Sequence, residues 1–173
     1  MVSAIGGLVF NTMPILLGTA ETTFSLSPGQ LGTLSLTAGL GYLAGTLTGP
    51  LWVERVNWRM AAFAIIGAVI ASFLMATQLA AETIYAGFAV FGFFCALAIA
   101  LAMRVLADMP DPERAYGTRL SVELVSIGVF LILLPVLFVS RGGFSGAMFG
   151  LACFAVVLGI GAFTFPKRTS SRE

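Results

Sequence analysis

Histidine is absent from this chain of 173 residues, and charged residues are few. Without histidine, the sequence lacks the commonest general base and the commonest metal ligand of proteins. Charged residues make up 10% of the chain, against roughly 25% in soluble domains. The net charge of +1 gives no electrostatic basis for binding nucleic acid. We therefore expect no metal site, no cofactor and no nucleic-acid partner.

Cysteine is almost as scarce, since only Cys95 and Cys153 occur, in separate apolar stretches and without the spacing of a metal site. Cysteines in such surroundings are usually buried free thiols, so a disulfide is not expected. The sequence also lacks a serine-nucleophile motif, and its acidic residues cluster only in loops. An enzyme is therefore the least favoured class of function.

Apolar residues, in contrast, make up 58% of the chain, and the mean hydropathy is +1.00. Both values favour the bilayer as the solvent. Because a charge is costly at bilayer depth, intervals without charge mark candidate spans, and a spanning helix needs about 20 residues. Six such intervals of 17 residues or more occur, at 1–20, 22–53, 60–81, 83–103, 124–140 and 142–166.

These intervals predict an all-α, polytopic membrane protein with a single six-helix domain over residues 1–173. The second interval is too long for one span, but Ser27, Pro28 and Gln30 have the spacing of a capping box with proline in the first turn. A cleaved signal peptide at residues 1–20 is a lesser alternative, because the start has no basic residue. The predicted transmembrane helices cover about 2–20, 28–53, 58–79, 83–107, 117–139 and 143–165.

Basic residues are distributed unevenly between the two sides of this predicted bundle. With the N-terminus inside, the outer turns hold only Arg141. The inner segments hold Arg55, Arg59, Arg104, Arg114, Arg119, Lys167, Arg168 and Arg172. Lysine and arginine mark the cytoplasmic side of a membrane protein. We therefore expect an integral protein of the cytoplasmic (inner) membrane with both termini in the cytoplasm.

The most distinctive stretch of the chain runs from residue 33 to residue 59. Small residues recur there at every fourth position, at Thr33, Thr37, Gly41, Gly45 and Gly49. Residues four apart share one helix face, so another backbone can approach this face closely. The stretch ends in the charged turn Glu54-Arg55-Val56-Asn57-Trp58-Arg59. A small-residue face that ends at a charged turn suggests a moving seam between helices.

Polar residues interrupt the first predicted helix near its middle, at Asn11 and Thr12, followed by Pro14. Proline inside a spanning helix frees a backbone carbonyl, which neighbouring polar groups can satisfy. A bend that lines a polar cavity and a simple packing kink are both open interpretations.

An acid lies inside the fifth predicted helix, because Glu123 is about one turn inward of Arg119. A carboxylate at that depth is costly and should face a cavity or a partner. The alternatives are a proton or cation site, and an ion pair with Arg119 or Arg104.

The segments Gly41-Tyr42-Leu43-Ala44-Gly45, Gly49-Pro50-Leu51 and Glu54-Arg55, followed by Arg59, resemble the loop signature of the major facilitator superfamily. In that family the loop joins the second and third helices on the cytoplasmic side, which is where this turn falls. Glu54 replaces the usual Asp, Asn57 the usual Gly and Trp58 one basic residue. Asn tolerates a left-handed backbone better than most residues, so the change at Asn57 is mild.

The resemblance to the N-terminal half of such transporters implies two six-helix halves, arranged as parallel repeats with the substrate between them. Helices one and four would line the cavity, and helices two and five would form the seam. The arginine often found in the fourth helix is missing, so proton coupling through that residue is not expected. The substrate-cavity candidates are Asn11, Thr12 and Glu123. The gate and loop candidates are Gly41, Gly45, Gly49, Glu54, Arg55, Arg59 and Arg104, with a hypothetical pair between Glu54 and Arg104.

One half cannot enclose a cavity, so the function implied by the resemblance needs a second half. We expect secondary active transport of a small solute by alternating access, with the second half supplied covalently, by a second copy or by another protein. The expected partners are membrane lipid, the solute and this second half. The sparse polar lining also suggests an alternative, a non-transporting membrane interaction or assembly protein on the same scaffold.

Overall fold

The computed structural model describes residues 2–165, and every regular element within them is a helix. This confirms the all-α prediction for that part of the chain. The first four helices are α1 (Val2–Phe24), α2 (Pro28–Trp52), α3 (Trp58–Ala76) and α4 (Ile84–Ala107). A long helical run follows, made of α5 (Pro112–Leu133), a π-helical segment (Leu134–Val139), α6 (Ser140–Gly159) and a 3₁₀ segment (Ile160–Thr164).

Four helical stretches within residues 2–165 are long and apolar enough to cross a membrane. They are α1, α3, α4 and the continuous run Pro112–Phe163. Helix α2 is not among them, because its many glycines and threonines lower its hydropathy. The predicted number of six spans is therefore not confirmed. The basic residues at positions 167, 168 and 172, which contributed to the predicted orientation, lie outside the described residues.

The start of α2 forms as predicted. The amide of Ser27 donates to Oε1 of Gln30 at 2.8 Å, and the amide of Gln30 donates to Oγ of Ser27 at 3.4 Å. This reciprocal pair satisfies two amide groups that would otherwise lack an acceptor at the helix end. Helix α1 runs to Phe24, four residues past its predicted end, and the turn that follows holds Ser25 at φ 54°.

Helix α5 starts earlier than predicted, at Pro112 instead of about residue 117. Asp111 is its N-cap, and the Asp111 carboxylate accepts from the amide of Arg114 at 3.1 Å. Proline fits the first helical position, because the missing N–H has no intrahelical acceptor there. The segment Asp111-Pro112-Glu113, outside the predicted helix, is therefore a helix start.

The long run from Pro112 folds back on itself at Gly143, where φ is 54° and ψ is −129°. A residue with a side chain is strained at that φ, so glycine is required at this turn. The two arms then pack antiparallel, with the rings of Phe130 and Phe154 stacked 4.2 Å apart. Nearer the turn, the α-carbon of Gly146 packs directly on the carbonyl of Phe138. The turn lies at the predicted boundary between helices five and six.

Helices α2 and α4 lie side by side and run in the same direction. A Cβ at Gly41 would collide with the backbone of Ala89, and a Cβ at Gly45 would lie 2.5 Å from the Phe93 carbonyl. The close approach expected of this small-residue face therefore occurs, and its partner is α4 of the same chain. Glycines at such a contact let the two backbones come together.

Most arginines lie at one end of the bundle, which we call the basic end. At the basic end lie Val2, the turn 54–59, the segment 104–114 and Phe165. At the opposite end lie Thr23, Gly143 and Thr77, whose carbonyl accepts from the Ser145 hydroxyl at 3.0 Å. The aromatic core lies between them, where Phe88 and Phe91 of α4 are fully buried with ring centroids 4.6 Å apart.

Candidate functional site

The charged turn at the basic end contains the hypothesised pair of Glu54 and Arg104. Nε of Arg104 lies 3.6 Å from Oε1 of Glu54, and Nη1 of Arg104 also contacts Oδ1 of Asp108. The Glu54 side chain is 70% exposed, so its pair with Arg104 is a surface ion pair worth about 0–1 kcal/mol. Arg104 is thus held by two acids, one on its own helix and one on the turn.

The buried ring of Trp58 packs against this turn. Its ring is 3% exposed, its Nε1 donates to the carbonyl of Val53 at 2.8 Å, and Cζ of Arg104 lies 5.5 Å from the ring centroid. A cation over an aromatic face gains about 0.5–2 kcal/mol. Trp58 therefore binds the turn through its hydrogen bond to Val53 and also contacts the Arg104 guanidinium. The sequence did not indicate either contact.

The other residues of the turn have separate partners. Asn57 does not adopt the left-handed backbone considered for it, since its φ is −71°. It is instead the N-cap of α3, and its side chain accepts from the amides of Arg59 and Met60. Arg59 donates through Nη2 to the carbonyl of Phe163, at the C-terminal end of the last helical segment. Arg55 is exposed.

Thr12 does not face a cavity. It is fully buried, and its hydroxyl donates to the carbonyl of Leu8 at 2.6 Å. The hydroxyl bonds to its own helix, as threonine commonly does in apolar surroundings. The structure thus leaves Asn11, but not Thr12, on the open surface of α1.

A stripe of small and polar residues runs along one face of α1, which we call the α1 stripe. Its members are Ser3, Gly7, Asn11, Pro14, Gly18 and Glu21, spaced three or four apart. The first two are buried, and the last four are exposed. Helices α2 and α5 flank the stripe, since Phe10 packs edge-on against Tyr42 with ring centroids 4.8 Å apart, and Gly7 packs against Glu123.

Glu123 pairs with Arg119 and not with Arg104, the other arginine considered as its partner. Nη2 of Arg119 lies 2.6 Å from Oε2 of Glu123, with the side chains 16% and 12% exposed. The carboxylate rests on α1, because a Cβ at Gly7 would lie 3.0 Å from Oε1 of Glu123 and 3.0 Å from Nδ2 of Asn11. Asn11 and Glu123 are therefore brought together. Tyr42 interacts electrostatically with both Glu123 and Arg119, and no pattern in the sequence indicated this.

A cavity of about 550 Å³ opens at the basic end, beside this ion pair. It lies between the start of α1, the end of α4 and the start of α5. Most of its wall is apolar, and its polar lining comes from Ser3, Asp111, Arg114, Thr118 and Arg119. Arg119 thus borders the cavity on one side and the Glu123 carboxylate on the other.

A family model described as Major Facilitator Superfamily matches residues 1–173. The chain belongs to the major facilitator superfamily. No curated protein and no solved structure matches the chain. The family match confirms the resemblance that the residues of the charged turn indicated. Proteins of the major facilitator superfamily are, as a class, membrane transporters and not enzymes, so this chain is an integral membrane protein of a transport family.

The candidate residues of this superfamily member form two groups. Glu54 and Arg104 pair at the turn of the basic end, where Arg59 binds the Phe163 carbonyl, while Asn11 and Glu123 meet at the α1 stripe. Gly41, Gly45 and Gly49 all face α4, so they are not an open face of this chain. The gate and substrate roles of both groups stay predictions.

Proposed function

We propose that this chain is one half of a secondary active transporter that moves a small solute across the cytoplasmic membrane by alternating access. A second six-helix half completes it, as a covalent extension, a second copy or another protein. The observation that supports this most directly is the α1 stripe. Its outer members Asn11, Pro14, Gly18 and Glu21 are exposed, although a lipid-facing helix surface should be apolar.

The two helices that flank the stripe have exposed apolar faces, which suit contact with lipid and contact with a second half. Among the described residues of α2, five leucines are 54–68% exposed, at positions 36, 40, 43, 47 and 51. Helix α5 is more open still, because Ile127 and Phe130 are its only buried residues. A second half placed against α2 and α5 would cover the α1 stripe and enclose a space between the halves. Parallel repeats allow a second copy to take this place without being inverted.

Disulfide cross-linking between two copies tests this arrangement. Leu43 on α2 and Val125 on α5 are 54% and 68% exposed, and both lie near the depth of Asn11. We expect differently tagged L43C and V125C chains, mixed in one membrane and oxidised, to give a mixed covalent dimer. The matched control is Gly67→Cys on α3, an exposed midspan position, which should not cross-link to V125C. Equal yields from the two pairs would contradict the arrangement.

A non-transporting assembly protein is the second candidate, because the buried hydroxyl of Thr12 leaves little polar surface for a solute. Asn11→Ala separates the two functions. A transporter should lose solute flux and keep its partner, whereas an assembly protein should lose recovery of its partner.

A further inference from the structure

The α1 stripe is closed at one point along its length. From the opposite end of the bundle, Gly18, Pro14 and Asn11 are exposed, and nothing in the described structure lies within 4 Å of a Cβ at Gly18. At Gly7 the stripe becomes buried, and the next member, Ser3, lines the cavity of the basic end. Among the described residues, Glu123 of α5 lies over Gly7, which stands between Ser3 and Asn11 on this face.

The closing residues are Arg119 and Glu123. Arg119 lines the cavity, and the Glu123 carboxylate rests on Gly7 beside Asn11. One ion pair therefore spans the wall between the cavity and the open part of the stripe. We propose that the Arg119–Glu123 pair, seated on Gly7, is a gate within this half, which opens when the pair lifts away from α1. The gate rests on the proposed transport function, because it would control passage along the stripe.

Gly7 is suited to be the seat of this gate. A methyl group there would lie 3.0 Å from both the Glu123 carboxylate and the Asn11 amide, so these side-chain ends would have to shift away from α1 to admit it. Asn11 is itself held in place, since its Nδ2 donates to the Gly7 carbonyl at 2.7 Å. The absence of a side chain at Gly7 lets α5 come close enough to seal the stripe.

The pair is also incompletely satisfied. Although Oε2 of Glu123 lies 2.6 Å from Nη2 of Arg119, the geometry completes no hydrogen bond, and Nε of Arg119 is buried without an acceptor within residues 2–165. A buried donor or acceptor that lacks its hydrogen bond costs free energy, so the closed arrangement is less stable than one in which both groups are fully bonded. Water or a polar solute that supplies the missing bonds would favour the open arrangement.

Thiol labelling in sealed vesicles tests the gate without any solute. The reporter is Asn11→Cys, in a C153A background in which the fully buried Cys95 is kept. We expect a charged, membrane-impermeant methanethiosulfonate to label the reporter only from the face of the opposite end. With E123Q added, labelling from the face of the basic end should rise roughly tenfold, because a neutral amide bonds arginine less strongly than a carboxylate does.

Three variants control this experiment. Glu113→Gln removes an exposed carboxylate from the same helix and should leave the labelling pattern unchanged. The charge swap R119E/E123R keeps an ion pair and should restore the original pattern. Thr118→Cys lines the cavity and should be labelled from the basic-end face in every background, which shows that the reagent reaches this face and that each variant is inserted in the same orientation.

A second way to open the gate keeps both charges. Gly7→Ala places a methyl group against the carboxylate and should also raise labelling from the basic-end face. The gate is contradicted if E123Q and G7A both leave that labelling unchanged, or if the charge swap behaves like E123Q. Because no flux is measured, these outcomes are independent of the cross-linking result that tests the half-transporter.

Discussion

Gly41 and Gly39 stand two residues apart on α2 and have different surroundings. A Cβ at Gly41 would collide with the Ala89 backbone of α4, whereas nothing lies within 4 Å of a Cβ at Gly39. Backbone atoms cannot move aside as a flexible side chain can. The same methyl group is therefore an overpacking defect at one position and harmless at the other.

We expect Gly41→Ala to lower the free energy of unfolding by about 1–3 kcal/mol, because α2 and α4 must separate to admit the methyl group. Gly39→Ala should be neutral or stabilising by up to about 1 kcal/mol, since alanine favours a helix over glycine. Unfolding of the two variants in the same detergent measures the difference. Equal stabilities would show that α2 does not approach α4 as closely as described.

Sequence reasoning at this scale succeeded where a partner lies nearby along the chain. The Ser27 capping box needs residues three apart, and the pairing of Glu123 with Arg119 needs residues four apart. It failed where the rotation of a helix decides, because Asn11 and Thr12 are neighbours with opposite exposure. The contact of Tyr42 with Phe10 likewise depends on how α1 and α2 pack, which no local pattern encodes.

At the scale of the element, the charge gaps located α2, α3 and α4 closely. The start of α5 was predicted about five residues too late, although Asp111 and Pro112 have the residue types of an N-cap and a first helical position. The number of spans depends on two further features. One is the hydropathy of α2, and the other is the turn at Gly143 inside one helical run. Charge-free intervals mark the break near Gly143 through Arg141, but they do not report the hydropathy of α2.

Removal of the Asp111 cap distinguishes a helix α5 that starts at Pro112 from one that starts near residue 117. We expect Asp111→Ala to destabilise the first turn of α5 by about 0.5–2 kcal/mol, because the amide of Arg114 loses its acceptor. Amide hydrogen exchange at residues 113–116 should accelerate in this variant. Glu113→Ala removes a charge from the same turn without removing the cap and should have a smaller effect. Unchanged exchange in D111A would favour a helix that starts near residue 117.

At the scale of the whole molecule, the chain folds around α1 and α4 and leaves α2 and α5 open. About 61% of the most apolar window of α1 is buried, against 17% for the run that includes α5. The sequence predicted that helices two and five would face another half, and their exposure agrees with that prediction without testing it. The sequence could not show that the glycines of α2 are already used within the chain.

The mass of the assembly in native nanodiscs, corrected for bound lipid, tests the need for a second half most directly. We expect the mass of the particle that carries this sequence to exceed one copy of 18.1 kDa. A homodimer would have twice that mass, and a longer chain or a different partner would also add a second half. A particle with the mass of one copy, 18.1 kDa, that still moves solute would contradict the account.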